Sequence, residues 1–439
     1  MLDINMFRNE NDFKKVIESE KKRNRTLDCA ENTKKYDELW KDAKQRKEEA
    51  RAEKNKVIKE TAELAKTKKP IDALKTKSKL LDDKIKDLEK KEVEYLVKRD
   101  EFRYKVGNIL CDDVPLGPED ENETLRLWGK AKVQREHLQQ FKEITKGKMK
   151  FEELNFVPKS HADLGPERDL FDLERAAKIS GARFYFLKGK LGLLHMALMR
   201  FAAEFLSNKG YTFMYTPFIV NADTIEKAAE LGDFSETLYK IGNDQYLIAT
   251  AEQTLAAYHM DDVLDVKQLP LKYVGFSSAF RREAGSASKD TRGIFRVHQF
   301  DKVEQYVFCK PEDSKKLHEE MVKNEEELIK ALELPYRLIN ICSEDMNDTA
   351  ARKYDIEVWM PVQGTFRELT SASITTDYQT RKLNVRYEEK GERAIVHSLN
   401  ATAIASPRML VALIENHQTK DGKIKIPKAL WPYTGFKEI

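Results

Sequence analysis

The amino-acid sequence predicts an α+β protein in two parts: an N-terminal antiparallel helical hairpin (a coiled coil) within residues 1–110, then a larger domain over residues 111–439 whose antiparallel sheet is flanked by helices. Three observations carry this. Residues 30–105 hold no glycine and a single proline, Pro70, the composition of long helices with one interruption. Beyond residue 220, strand-like runs come grouped as hairpins with helical patterns between them, which argues for an antiparallel sheet. Neither GxxxxGK(S/T) nor GxGxxG occurs, so a nucleotide must be held by side chains on a sheet and not by a P-loop or Rossmann turn.

Before Pro70, Tyr36, Ala43, Ala50, Val57 and Leu64 recur every seven residues; after it, Leu74, Leu81, Leu88, Tyr95 and Phe102 do the same. The spacing predicts two helices sharing a seam, with a turn near residues 66–70 and alanines that let the helices approach closely. A second arm of about 35 residues reaches about 50 Å, far more than a core element needs. Residues 41–105 carry 22 Lys and Arg against 15 Asp and Glu, an excess of seven in a chain whose formal charge is only +3. A basic arm suits a polyanionic partner. Charge alone also admits a dimerisation or spacer coiled coil.

The pattern breaks from Gly107 to about Pro118, where the acidic residues Glu119 to Glu121 follow Pro115, Gly117 and Pro118, and the domain linker is placed there. Residues 124–149 have mixed polarity and are expected to be helical in part. Residues 191–208 form an amphipathic helix ended by Gly210, leading into a strand over 211–220 with Pro217 inside it. Further strands are expected at 272–282, 295–308, 336–342, 355–361 and 393–399, and helices at 314–332 and 408–417. Cys29, Cys111, Cys309 and Cys342 are scattered without CxxC or Cys-His pairing, so neither zinc nor a disulfide framework is expected. The opening MLDINMFRNENDF is unlike a signal or transit peptide, and no run of about 18 apolar residues exists to span a membrane. Reduced thiols and a cytoplasmic location fit these features.

Residues 280–304, FRREAGSASKDTRGIFRVHQFDKVE, read as built for chemistry. Two strand-like runs flank a loop with Gly285, Ser286, Ser288, Asp290 and Gly293. Alternation puts Arg281 and Glu283 on one face, and His298, Phe300 and Glu304 on one face of the return strand. A guanidinium forks onto phosphate, a ring stacks on a nucleobase, and a carboxylate holds an ammonium group or a metal-bound phosphate. Together these suggest a nucleotide and an amine. Taken alone, the segment is equally compatible with a solvated hairpin carrying cross-strand ion pairs.

This run resembles the second signature motif of the class II aminoacyl-tRNA synthetases, in its seryl-tRNA synthetase form. Thr250-Ala251-Glu252 is similar to the triplet that contacts serine in that family. FRELTS at 366–371, followed by TDYQ at 376–379, is similar to the segment completing the ATP and magnesium site. LNAT at 399–402, running to PRML at 407–410 and ENHQ at 415–418, resembles the third class II motif. The helix over 191–208 feeding a Pro-containing strand resembles the first motif, which forms the dimer interface. Order and spacing agree along nearly the whole chain.

The resemblance implies a two-step reaction. The serine carboxylate attacks the α-phosphate of ATP to give seryl-adenylate and pyrophosphate, and the seryl group then passes to the terminal ribose hydroxyl of tRNA(Ser), or of tRNA(Sec) where present. It implies that Arg281 binds the α-phosphate, Arg408 the γ-phosphate from the start of a helix with Pro407 in its first turn, and that Phe300 stacks on adenine with Glu283 near its amino group. Arg281, Glu283 and Arg408 are thus the implied catalytic set. Arg282, Val297, His298, Gln299, Leu369 and Thr370 complete the implied ATP pocket, with Glu368 and Ser371 holding Mg2+ and no zinc. His298 reads better as a core histidine with its hydrogen bond satisfied than as an acid or base. For serine, the resemblance implies Glu304 at the ammonium and Thr250, Ala251, Glu252, Asn400 and Thr402 around the small side chain. It further implies that the basic arm grips the long variable arm of the tRNA, and that the protein is a homodimer.

The chain departs from the family pattern in three places. Ala401, Ala403 and Ala405 stand where bacterial members carry glycines, as in eukaryotic cytosolic members. Ser288-Lys289 replaces a common Gly-Arg pair, which bears on how that loop meets the tRNA acceptor end. Little follows Trp431-Pro432, so the tRNA affinity supplied by a basic tail in many eukaryotic versions is expected to be absent. Two rival readings remain. An amino-acid-activating paralogue that loads a carrier protein would have no use for a basic 50 Å arm. A catalytically inactive tRNA-binding protein would be expected to lack Arg281, Glu283, Glu304 or Arg408, and all four are present.

Overall fold

The computed structural model describes residues 1–228, 237–283 and 290–439; Gly285, Ser286, Ser288 and Lys289 of the loop discussed above lie outside them. The chain divides into two compact units, Met1–Ile109 and Leu110–Ile439.

In the first unit, α1 (Glu10–Lys22) precedes two long helices, α2 (Asp28–Lys66) and α3 (Asp72–Arg103). The predicted seam is present. Ala43, Ala50, Val57, Leu81 and Leu88 are buried, and Tyr36 stacks on Phe102 with ring centroids 5.7 Å apart. Lys47–Glu92, Arg51–Glu89, Lys54–Asp82 and Lys77–Glu53 bridge the two helices in descending register, so the hairpin is antiparallel. Pairs open to solvent, Lys77–Glu53 above all, set register more than stability. The 32 residues of α3 span about 48 Å. The sequence reading missed α1 and a short helix, Asn5–Arg8. The signal was there in Asn9, whose side chain accepts from the N–H groups of Asn11 and Asp12 to start α1.

The second unit is organised, among the described residues, round an eight-stranded sheet. Its strands are β1 (Glu123–Trp128), β2 (Thr212–Tyr215), β3 (Leu271–Phe280), β4 (Gln299–Cys309), β5 (Tyr336–Asn340), β6 (Arg352–Met360), β7 (Thr365–Thr376) and β8 (His397–Ala405), in the order β1-β5-β6-β7-β8-β4-β3-β2. All neighbours are antiparallel except β2 against β3. Helices α4 (Gly189–Ser207), α6 (Ser314–Ala331) and α7 (Ser406–Asn416) bury Leu194, Leu198, Met321, Leu328, Met409 and Leu413 in one core with Val303, Val307, Ile356 and Leu399 of the sheet. Helix α5 (Ala251–Ala257) packs on β3 and β4. Among the described residues no helix is long and apolar enough to cross a membrane.

Several expected elements are corrected. Residues 124–149 include a helix, Leu138–Ile144, but also supply β1 and a short strand, Lys130–Val133. β1 is exposed along almost its whole length, which erases the alternation a half-buried strand displays. The strand expected over 211–220 is two, because β2 ends at Tyr215 and Ile219–Asn221 joins a separate sheet; Pro217 between them has no N–H for a ladder. Residues 393–399 likewise divide between Glu392–Ile395, in another small sheet, and β8. β7, absent from the predicted strands, lies inside the sheet between β6 and β8. Finally, β3 ends at Phe280 and β4 begins at Gln299, so Arg281, Glu283 and His298 stand beyond the strand ends. Glu283 takes a φ of +50°. The shared faces predicted for these residues by strand alternation are therefore not what brings them together.

Candidate active site

A cavity of about 210 Å³ lies on the sheet, lined by residues of β4, β7 and β8, the first turn of α7 and the β3–β4 connection. Two β-bulges shape its floor. In β7, Glu368 and Ser371 are three apart, and regular alternation would send them to opposite faces. Ile356 pairs with Thr370 but Glu357 pairs with Glu368, so Leu369 is an inserted residue, and the bulge returns both Glu368 and Ser371 to the cavity. Thr370, 1% exposed, lies instead toward Glu325 of α6. β8 repeats the device. Val303 pairs with Ile404 and Glu304 with Thr402, Ala403 is the insertion, and Thr402 and Ala405 both line the cavity.

Cations converge on this space. The Arg281 Nε donates to the Ala249 carbonyl at 3.2 Å, and its guanidinium lies 5.2 Å from the centroid of Phe300. Burial, and then the nearby Arg408, press its pKa downward. Two guanidiniums held together against repulsion mark a place prepared for a polyanion. Arg408, starting α7 beside Pro407 at the helix N-terminus, reaches the Glu368 carboxylate at 3.2 Å and faces the ring of Phe295 at 5.5 Å. Burial works against ionisation of Glu368, but Arg408, Lys353 and Arg281 outweigh it and bring its carboxyl down to about 2. An ionised carboxylate and the Ser371 hydroxyl in one cavity are hard oxygen donors, a set that fits Mg2+. Glu283 accepts from Arg296 at 2.9 Å at the rim.

Beside this cavity lies a second polar cluster. Glu304, 1% exposed, is ion-paired with Lys302 and accepts from the Thr250 hydroxyl at 3.3 Å, while the Lys302 ammonium also reaches Thr250 Oγ1 at 3.2 Å. Thr250 caps α5, accepting from the Glu252 N–H, and Ala251 is fully buried in the first turn. The Glu252 carboxylate accepts from Gln379 Nε2 at 2.7 Å and Asn400 Nδ2 at 3.0 Å. Burial, then the charge of Glu304, push its carboxyl upward. Thr402 sits across from Glu304 on β8.

The fold thus gathers Thr250, Glu252, Glu304 and Asn400 in one cluster, and Arg281, Glu283, Val297, Phe300, Glu368, Leu369, Ser371 and Arg408 round the adjoining cavity, with Thr402 and Lys302 on the boundary. Arg282, His298, Gln299 and Thr370 lie outside that lining. Arg282 is exposed and its backbone N–H donates to the Thr237 carbonyl at 2.8 Å. The His298 Nδ1 donates to the Arg281 carbonyl at 2.7 Å between Phe184 and Tyr239, so its hydrogen bond is satisfied as expected, but the side chain is half-buried and not in the core. Lys302 and Phe295 were not singled out beforehand, and Gln379 was named only within the TDYQ segment. For Lys302 the signal was its position two before Glu304, on the same strand face.

Comparison with known proteins places this geometry. The family model of the tRNA synthetase class II core domain (G, H, P, S and T) matches residues 238–417, and that of the Seryl-tRNA synthetase N-terminal domain matches residues 1–110. A serine–tRNA ligase of Pyrococcus furiosus is 47% identical over 448 residues, covering 100% of this chain and 97% of its own. The crystal structure of seryl-tRNA synthetase from Pyrococcus horikoshii complexed with ATP matches with a TM-score of 0.94 at 44% identity, over 100% of this chain and 99% of that one. That of the cytoplasmic serine-tRNA ligase from Naegleria fowleri in complex with AMP matches at 0.84 and 35%, over 100% and 98%. Since hairpin and class II core are both matched, and the likeness runs the full length of the chain, the protein belongs to the seryl-tRNA synthetase family.

Proposed function

We propose that this enzyme activates L-serine with ATP and transfers the seryl group to tRNA(Ser). The observation that carries the reading is the adjacency of two unlike sites: a buried carboxylate cluster able to pair with an ammonium group, and a cavity lined by arginines suited to a polyphosphate. Glu304 receives the substrate ammonium, and Glu252, Asn400, Thr250 and Thr402 surround its hydroxyl. The serine carboxylate is thereby directed at the α-phosphate. Its oxygen bonds to that phosphorus, the bond to the β-phosphate oxygen breaks, and pyrophosphate leaves. Arg281 meets the charge that grows at the α-phosphate and Arg408 that of the γ-phosphate, so alignment and charge neutralisation do most of the work. Glu368 and Ser371 would hold Mg2+, which when bound would supply further neutralisation of the phosphates. Phe300 offers a stacking face to adenine.

A pocket built to bond a hydroxyl rejects alanine by leaving buried groups unpaired, whereas threonine is excluded only by one methyl, a discrimination of about 1 to 3 kcal/mol. Threonine is the expected error. The basic arm reads as the grip on the tRNA, through phosphate contacts that weaken with salt. A homodimer is supported by the apolar side chains left exposed on α4 and β2, among them Met196 at 64% and Tyr215 at 69%, beside the edge strand of the sheet. A cytoplasmic location follows the family reading. Pyrophosphate exchange with each amino acid, followed by charging of bulk tRNA, tests the proposal; exchange stimulated by another amino acid and not by serine would overturn it.

A further inference from the structure

His161 stands about 120 residues ahead of the β3–β4 connection, at the start of a short helix, His161–Glu167, and no motif considered above includes it. It is 6% exposed. The backbone N–H of Ile294 donates to its Nε2 at 3.3 Å. That bond leaves the ring proton on Nδ1, which donates to Glu415 Oε1 at 3.0 Å; Glu415 is 2% exposed. The contact is close enough to demand a glycine next to it. At Gly293, with φ +74°, an added Cβ would fall 2.1 Å from the His161 Nε2. A second tie flanks the first, from Arg292 to Asp163 at 2.5 Å.

Each end of this bridge leads to the nucleotide cavity. Ile294 is followed directly by Phe295, Arg296 and Val297, which line it. Glu415 lies two helical turns after Arg408 on α7, on the same helix face. The Phe295 ring carries the guanidiniums of Arg367 at 4.2 Å and Arg408 at 5.5 Å.

We infer that His161 is a positioning residue for ATP: its imidazole ties the 293–297 wall of the cavity to α7, and so holds Phe295 and Val297 at a set distance from Arg408. The inference rests on reading that cavity as the ATP site. A residue that only filled space could be replaced by any ring of similar size. One that bridges needs a donor at one end and an acceptor at the other, and glutamine offers both where phenylalanine offers neither.

The test uses the full chain in serine-dependent pyrophosphate exchange, with KM measured separately for ATP and for serine and the melting temperature recorded. For H161F, the KM for ATP is expected to rise about tenfold, the worth of one net hydrogen bond, while the KM for serine stays within about twofold. H161Q is expected to recover most of the loss. R292A, whose side chain is 74% exposed, keeps the fold and is expected to raise the ATP KM about two- to threefold by removing the weaker tie. An unchanged ATP KM in H161F, a proportional loss for ATP and serine, or H161Q no better than H161F would each overturn the inference. If H161F does not fold, R292A decides: a wild-type ATP KM overturns the inference, and a rise in the ATP KM with the serine KM unchanged supports it. Absence of serine-dependent exchange in the unaltered protein would instead defeat the reading of the cavity.

Discussion

Arg281→Ala separates chemistry from stability. The side chain contributes one hydrogen bond to a neutral carbonyl, at Ala249, worth about 1 kcal/mol, a cation–π contact with Phe300 worth about 0.5 to 2 kcal/mol, and attraction to the carboxylates of Glu283, Glu304 and Glu368. Against these stand the burial of a guanidinium and its repulsion by Arg408, the two causes that depress its pKa. Gain and loss nearly cancel, so stability should move by no more than about 1 kcal/mol and the melting temperature by no more than about 1 to 2 °C. The chemical step has no such offset. Removing a preorganised donor aimed at charge that grows in the transition state costs about 3 to 4 kcal/mol, a fall of about 10²- to 10³-fold in rate. Serine-dependent pyrophosphate exchange measures the rate, and differential scanning calorimetry the fold. Exchange within about tenfold of the unaltered protein would refute the role given to Arg281, and a much larger thermal shift would make it a structural residue.

Other outcomes follow from particular contacts. Glu304→Gln strips Lys302 of its charged partner, so denaturant unfolding should report a loss of about 3 to 5 kcal/mol; the KM for serine should rise steeply, and a serine KM left at its normal value would remove Glu304 from the substrate site. His318, fully buried, accepts from Arg352 and donates to the Ala372 carbonyl; burial first and Arg352 second push it down to about 3. The unfolded chain takes up a proton that the folded chain refuses, so stability is complete above about pH 6.5 and drains away as the pH falls toward 3, by about 2 kcal/mol at pH 5. His318→Gln should flatten that slope in denaturant titrations, and an unchanged slope would contradict the assignment. Raising salt should depress tRNA charging far more than amino-acid activation if the arm contacts phosphates; parallel declines would argue against it. Light scattering should give about twice the chain mass of 51.0 kDa, falling toward that mass in Met196→Glu, whereas an active monomer would dismiss the dimer.

Much of this protein was legible in its order of residues. The hairpin could be read because burial along a helical seam repeats at a fixed interval within each helix, and Ala43, Ala50, Val57, Leu81 and Leu88 all proved buried. The start of α7 was legible in Pro407, since the demand on a helix's first turn is local. Arg281, Phe300 and Glu304 were singled out by their chemistry on strand-like runs and given roles by resemblance, Glu368 and Arg408 were named from resemblance, and all of them line the cavity or the cluster beside it. What failed was alternation: β1 has no buried face to display, β7 carries a bulge, and Glu283 turns through a left-handed backbone conformation.

Periodic burial and helix-end chemistry are properties of short stretches, so composition and spacing were enough to indicate an arm and a sheet domain and to mark residues 280–304 as a candidate site, while Glu368 and Arg408 came from motif resemblance. Which of those residues meet is a matter of register between strands distant in the chain. The inserted Leu369 and Ala403 aim Glu368, Ser371, Thr402 and Ala405 at one space, and His161 reaches Ile294 across 133 residues. Folding settles such meetings because a one-residue offset in pairing reverses every side chain beyond it, and nothing in a local pattern records that offset.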